Sequence, residues 1–214
     1  MLPRKIFVSG ISTEVGKTVC SAILVKALQA DYWKPVQSGD LHDTDSMKVA
    51  KWNSLSLPPP RFHRETHRLT GPMSPHASAA IDGVHIKRSD FQVPATDKTL
   101  IIEGAGGLMV PLNEQDTLLD LMRDLQIPVI LVFRNYLGSI NHTFLSIAQL
   151  QQAGVPIAGI VFNGPSTPST EKIILQMTKV PLLFRIPELS ELSLPAIDET
   201  ARLIKPQLLK TLKY

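Results

Sequence analysis

The chain has 214 residues, 43% hydrophobic and 19% charged, which suits one α/β domain with a proper core, or at most two small ones. A formal net charge of +3 without a long basic run gives nucleic-acid binding little support, and the longest aliphatic run, "PVILVF", is far too short to cross a membrane. Cys20 is the lone cysteine, so no internal disulfide can form, and "MLPRKIFVSG" enters a strand-like run with no signal-peptide core, as expected of a cytoplasmic protein.

"KIFVSG", residues 5–10, predicts the first strand. The next stretch, "GISTEVGKT", ends like a phosphate-binding loop in Gly16, Lys17 and Thr18. Five residues separate Gly10 from Gly16, one more than the usual pattern, and one of them is Glu14, a carboxylate close to where phosphates would sit. "KTVCSAILVKALQA" follows as a helix, with Val19, Ile23, Leu24, Ala27 and Leu28 on one face. The loop therefore lies between strand and helix. There, backbone N–H groups can point at phosphate oxygens, Lys17 can reach the terminal phosphates, and Thr18 can ligate Mg²⁺.

"YWKPV" predicts a second short strand over 32–36, ending in the loop "QSGDLHDTD". Lys34 could neutralise an anion there, although a snorkelling edge lysine is the more ordinary reading. Asp43 and Asp45 are either helix caps for a helix over 46–52 or metal ligands, capping being the commoner use. Residues 54–76 read as a loop rich in Pro and His; His63 and His67 stand four apart, but the six histidines lack zinc-ligand spacing. "SPHASAAIDG" predicts a short helix capped by Ser74. "TLIIEGAGG" predicts a strand running into a glycine turn, with Glu103 just past the apolar part. Glu103 is either a Mg²⁺ ligand or an exposed strand-end carboxylate, and Gly104, Gly106 and Gly107 fit both.

"TLLDLMRDLQ" is helical, "IPVILVF" is a buried strand, and "SINHTFLSIAQLQQAG" is a helix stopped by Gly154. Ser139 or Asn141 could cap that helix after the turn at Gly138, or its free N–H groups could form a second anion site. "PIAGIVFNG" is a strand, "TEKIILQMTK" a helix, "VPLLFRIP" follows, and "LPAIDETARLIKPQLLKTLK" closes the chain as an amphipathic helix. Strands alternating with helices, four of them continuous apolar runs, argue for a parallel sheet covered on both faces. Ligands bind at the carboxyl ends of such strands, where Gly10, Gln37, Glu103, Arg134 and Asn163 fall. No Gly-x-Ser-x-Gly elbow is present.

"GISTEVGKT", "YWKPVQSG", "DTDS", "SPHASA", "EGAGGLMVP", "LGSINH" and "VFNG" stand in the order seen in dethiobiotin synthetases, and the resemblance runs from the first strand through "RIPEL". It implies a single P-loop domain over 1–214 with a mainly parallel sheet, working as a homodimer. The implied activity is that of a Mg²⁺- and ATP-dependent ligase of biotin synthesis, acting on 7,8-diaminopelargonate and CO₂ or bicarbonate. Carried over by position, Glu14, Val15, Gly16, Lys17, Thr18 and Val19 hold ATP phosphates, and Thr18, Asp45 and Glu103 match Mg²⁺ ligands. Lys34, Lys17 and Thr13 are the implied catalytic residues, which replaces the ordinary readings of Lys34 and Asp45. Glu103, Gly104, Ala105 and Gly106 line the nucleotide. Asn163, Gly164, Pro187, Glu188 and Leu189 match the adenine segments. Ser38 and Thr13 contact substrate, and Gly138, Ser139, Ile140 and Asn141 resemble the element that receives the substrate carboxylate across the dimer. The additional loop residue is then a family feature: one end of the loop cradles phosphate, and the front, near Thr13, faces the carbamate, with the Glu14 carboxylate turned away from the phosphates and its N–H toward them.

The chain departs from the family pattern in places. Ile11-Ser12 stands where many relatives have Thr-Asp, Gly164 replaces a frequent Asp, and "FRNYLG" replaces a commoner lysine-containing version. The link from the first helix to "YWKPV" is short, and Glu191 is only a candidate for the last acidic ATP contact. The rival class is a P-loop partitioning or regulatory ATPase, which carries a signature lysine early in the loop; residues 10–16 contain none. A glutamine-dependent amidotransferase would need a glutaminase domain for which 214 residues leave no room.

Overall fold

The computed structural model describes residues 4–53 and 61–212. The chain runs β1 (Lys5–Gly10), α1 (Lys17–Leu28), β2 (Asp31–Trp33), β3 (Val36–Ser38), α2 (Asp45–Asn53), β4 (Phe62–His63), β5 (His67–Leu69), α3 (Pro75–Ile81), β6 (Leu100–Gly107), α4 (Leu118–Leu125), β7 (Val129–Arg134), α5 (Ser139–Gln152), β8 (Ile157–Asn163), α6 (Pro168–Thr178), β9 (Leu182–Ile186) and α7 (Leu194–Thr211). One 3₁₀ turn lies at Arg88–Asp90.

Seven strands form one parallel sheet in the order β4-β2-β6-β1-β7-β8-β9. β1 is central, and its first five core residues after Lys5 are all buried. Parallel strands need crossovers, and right-handed ones put helices on a face set by the direction of travel. α1 leaves β1 toward β2 and covers one face, where α7 packs on it. α4, α5 and α6 step the other way and cover the opposite face. The two cores follow the pleat. Ile6, Val8, Tyr32 and Ile101 belong to the α1 side, and Phe7, Trp33, Leu100 and Ile102 to the other. Both faces are therefore apolar, which explains why these strands read as continuous runs rather than alternating ones. The strand order reverses at β1, which opens a crevice at its carboxyl end.

The elements read from the sequence differ from the structure in several places. "YWKPV" is not one strand. β2 ends at Trp33, and β3 begins at Val36 in a separate two-stranded parallel pair with β5. Pro35 lies between them, and with no N–H it cannot continue a ladder. The segment expected to be loop contains β4 and β5, each so short that it carries no periodic signal; residues 54–60 of that loop lie outside the described residues. Ser74 stands at the N-cap of α3, yet makes no capping bond to the helix backbone. Its hydroxyl pairs with His76 Nδ1 at 3.0 Å instead. α5 starts from Gly138 with φ +98° and no side-chain cap, so neither Ser139 nor Asn141 caps it. By contrast α4 has a complete capping box, in which the Thr117 hydroxyl accepts from Asp120 N and Asp120 accepts from Thr117 N. The closing helix ends within its expected range, whose last residue, Lys213, lies outside the described residues.

Candidate active site

The loop between β1 and α1 is shaped by its glycines. Gly16 has φ +94°, and a Cβ there would lie 2.1 Å from Asn163 Nδ2, so both conformation and space demand glycine. Glu14 is also left-handed, with φ +55°, and its side chain is exposed at the mouth of a cleft. The Asn163 amide donates to Val15 O at 2.9 Å, so the end of β8 braces the loop from the side away from β6. α1 has no side-chain cap, and its first N–H groups have no partner within the helix. They face an anion as well as any helix start can.

Lys17 is nine-tenths buried, and its ammonium donates to Ser12 O at 3.1 Å. Burial pushes its pKa down to about 8. Glu103 and Asp45 oppose that shift, and the charge of Lys34 adds to it. A phosphate held by the loop would add counter-charge beside this ammonium.

β6 carries the centre of the site. Glu103 lies within the strand and is wholly buried, not exposed at a strand end. The ladder extends through the glycines to Gly107, because glycine backbones can approach β1 closely. Glu103 Oε1 accepts from Thr18 Oγ1 at 2.8 Å and lies 3.3 Å from Lys34 Nζ, while Oε2 accepts from the Tyr32 hydroxyl at 3.0 Å. Lys34 is buried too and sits 2.5 Å from Asp45 Oδ2. It is no snorkelling edge lysine. Burial alone would lower its pKa, but Glu103 and Asp45 outweigh it and hold the ammonium charged. Burial alone would raise Asp45, and Lys34 reverses that. Tyr32 is raised well above the usual phenol range by burial and by Glu103 beside it, so it stays a donor.

Asp45 is not the cap of α2. The Thr44 hydroxyl accepts from Met47 N at 3.2 Å and fills that role. Gln37 orients the start of the helix: its Oε1 accepts from Asp45 N at 3.2 Å, and its Nε2 donates to Gly39 O at 3.0 Å. The Asp45 carboxylate is thereby turned into the cleft, in reach of the same Thr18 hydroxyl that touches Glu103. Thr18, Asp45 and Glu103 thus converge as hard oxygen donors, the chemistry Mg²⁺ prefers. Among the described residues no three His, Cys, Asp or Glu side chains cluster to hold a metal by themselves. A Mg²⁺ here would share its shell with phosphate and water, its usual habit.

The cleft has a volume of about 780 Å³. Of the sequence-predicted residues, it collects Thr13, Glu14, Gly16, Lys17, Thr18, Val19, Lys34, Ser38, Asp45, Glu103, Ala105 and Gly106. Val15 is buried beneath the loop, and Gly104 is turned toward the Phe7 ring. Gly164, whose N–H donates to Ile186 O, lies beside Glu188. Arg134 pairs with Glu188 at 3.4 Å, which joins the end of β7 to the 187–189 segment. Pro187 follows β9 directly, and Leu189 packs on the core. Gly138, Ser139, Ile140 and Asn141 line neither this cleft nor the second cavity. That cavity is an apolar recess of about 320 Å³ between the loop, the turn after β6 and α5. Thr13 and Val110 border both cavities.

Two contributors escaped the sequence reading. Tyr32 could have been suspected, since a buried tyrosine hydroxyl needs a partner and Tyr32 stands on β2 only two places before Lys34. The wall made by Pro72 and Met73 gave no signal. It exists because Gly39 lets Pro72 approach; a Cβ at Gly39 would come within 2.5 Å of Pro72 Cα.

A family model described as an AAA domain matches residues 4–196. The chain is 50% identical over 187 residues to the ATP-dependent dethiobiotin synthetase BioD of Christiangramia forsetii, a match that spans 87% of this chain and 89% of that protein. It is 45% identical over 197 residues to the protein of the same name from Afipia carboxidovorans, spanning 92% of this chain and 93% of that one. Among solved structures, a ParA family ATPase from Chlorobium tepidum superposes with a TM-score of 0.58 over 98% of this chain and 97% of that one, at 15% identity. That likeness is one of fold, a parallel P-loop sheet.

Proposed function

The chain belongs to the dethiobiotin synthetase family, and we propose that it carries out the Mg²⁺- and ATP-dependent insertion of CO₂ between the two amines of 7,8-diaminopelargonate, closing the ureido ring of dethiobiotin. The observation that carries this reading is the meeting of Lys17, Thr18, Lys34, Asp45 and Glu103 at one cleft. One amine takes up CO₂ as a carbamate and loses a proton. A carbamate oxygen attacks the γ-phosphorus and ADP leaves, giving a carbamic–phosphoric anhydride. The second amine attacks the carbonyl carbon, loses its proton, and phosphate departs with the C–O electron pair.

No protein nucleophile is needed. Catalysis rests on holding two anions together in line and neutralising their charge. Lys17 supplies charge at the terminal phosphates. Lys34 supplies it where the carbamate oxygen and γ-phosphate meet, and Thr13 faces the carbamate from the front of the loop. Thr18, Asp45 and Glu103 would hold Mg²⁺, which when bound supplies charge neutralisation at the phosphate oxygens. Asn163, Gly164, Pro187, Glu188 and Leu189 border the base; Asn163 is already tied to the loop, which supports that assignment.

Ser38 contacts the substrate amines' side of the cleft. The start of α5 at Gly138, Ser139, Ile140 and Asn141 receives the substrate carboxylate from a second subunit. These four residues line neither cavity of their own chain, and the apolar recess walled by α5 shares Thr13 and Val110 with the cleft; both observations support a homodimer. Residues 1–214 act as one P-loop unit in the cytoplasm; no helix of the described residues is long and apolar enough to cross a membrane. The test is mass spectrometry of the product after incubating the protein with ATP, Mg²⁺, bicarbonate and diaminopelargonate. Dethiobiotin is expected, and ATP hydrolysis without it overturns the reading.

A further inference from the structure

Glu103 has two oxygens with different occupants. Oε1 faces Thr18 and Lys34, whereas Oε2 takes a hydrogen bond from Tyr32 at 3.0 Å. The register explains the second contact. β2 and β6 are parallel neighbours with Tyr32 opposite Ile101, so Glu103, two residues on, projects from the same face as Tyr32. The Tyr32 ring is wholly buried, with its centroid 6.0 Å from that of Phe62 in a tilted pair. The hydroxyl is therefore placed by the sheet itself and not by a mobile side chain.

We infer that Tyr32 is a positioning residue for the cation: its hydroxyl pins Glu103 Oε2 and so presents Oε1 to the oxygen set completed by Thr18 and Asp45. The inference rests on the proposed reading of Glu103 as a Mg²⁺ ligand. The last torsion of a glutamate is broad, and its two oxygens are chemically equal. Without an anchor, the buried carboxylate would share both oxygens among Thr18 and Lys34, and a binding cation would have to order it. With one oxygen held, that ordering is complete before the cation arrives. Outer hydrogen-bond partners of metal ligands act in this way.

The experiment measures Mn²⁺ binding to the protein–ADP complex directly, by electron paramagnetic resonance, for wild type, Tyr32→Phe, Glu103→Gln and the double variant. Tyr32→Phe keeps the ring and removes one oxygen. It is expected to weaken Mn²⁺ binding about tenfold, in the range typical of losing such an outer partner. Glu103→Gln is expected to weaken it at least as much. The double variant is expected to match Glu103→Gln alone, because Tyr32 acts only through Glu103. Thr96→Val is the stability control. It removes a hydroxyl bond to Asp31 at the start of the same strand, 2.6 Å long, and is expected to lower the melting temperature while leaving Mn²⁺ affinity unchanged. Wild-type affinity in Tyr32→Phe beside weak binding in Glu103→Gln overturns the inference. So does a Tyr32→Phe effect of equal size in both backgrounds, or an equal loss in Thr96→Val, since each marks a role in stability alone. Wild-type affinity in Glu103→Gln sinks the metal-ligand reading of that residue instead.

Discussion

Lys34→Gln removes the ammonium that lies between Asp45 and Glu103, at 2.5 and 3.3 Å. Two consequences follow and can be measured apart. The first is stability. Lys34 and Glu103 are almost completely shielded from water, so removing the ammonium leaves a buried carboxylate uncompensated, at a cost of about 3–5 kcal/mol. For a chain of this size that corresponds to a fall in melting temperature of roughly 6–20 °C. Added Mg²⁺ should recover part of the loss, because it restores a cation to the same oxygens. The second is turnover. Lys34 is proposed to offset charge as carbamate and γ-phosphate approach, a role belonging to the transition state more than to ATP binding. Turnover should therefore fall on the order of a hundredfold or more, while ATP affinity changes much less. Arginine should not rescue fully, since its planar fork is no substitute for a compact ammonium in a crowded site. The assays are thermal melts with and without Mg²⁺, steady-state turnover at saturating ATP, and direct nucleotide binding. An unchanged melting temperature would refute the ion-pair argument. Lost ATP binding with normal turnover at saturation would make Lys34 a nucleotide-binding residue and refute the mechanism.

Asp45→Asn should shift the Mg²⁺ concentration for half-maximal activity upward, because it removes a hard anionic oxygen; saturation at the wild-type concentration with normal turnover would exclude Asp45 as a ligand. Gly16→Ala places a Cβ 2.1 Å from Asn163 Nδ2 at φ +94°, so it should cost about 1–3 kcal/mol in strain and push Asn163 off the loop; calorimetry should show weakened ATP binding, and unchanged affinity would count against the bracing role. The acid stability of the fold should depend in part on Asp31. Its burial would raise the carboxyl's pKa, but bonds from Thr96 and Arg61, and the Arg61 charge, bring it below the usual value. With the folded value depressed, the contribution is present above the unfolded pKa of about 3.9 and is lost as pH falls through the folded value. Thr96→Val should therefore lose about 1 kcal/mol at neutral pH and show a shallower decline in melting temperature at acid pH than wild type; parallel acid profiles would refute the assignment.

Much of this protein was legible without coordinates. The strand–loop–helix at residues 5–28 was, because a buried parallel strand must be an apolar run and only glycine suits the turn into the helix. So were the parallel sheet and its covering helices, since both faces of every central strand needed apolar side chains. Lys17 and Thr18 followed from their place at a helix start, which is a local property of the chain. Lys34, Asp45 and Glu103 were different. From local patterns alone Lys34 and Asp45 read as an edge lysine and a helix cap, and only the likeness to a known order of motifs suggested otherwise, while Glu103 stayed open between a strand-end carboxylate and a Mg²⁺ ligand. The tertiary structure decides their state because charge pairing depends on distance through space. Asp45 turns inward because Thr44 takes the cap and Gln37 holds its N–H. Glu103 meets Thr18 across 85 residues of sequence and Tyr32 across 71. The break at Pro35, the short strands β4 and β5, and the anchoring of Glu103 by Tyr32 likewise depend on which strands become neighbours, and periodicity within one segment does not record its neighbours in the sheet.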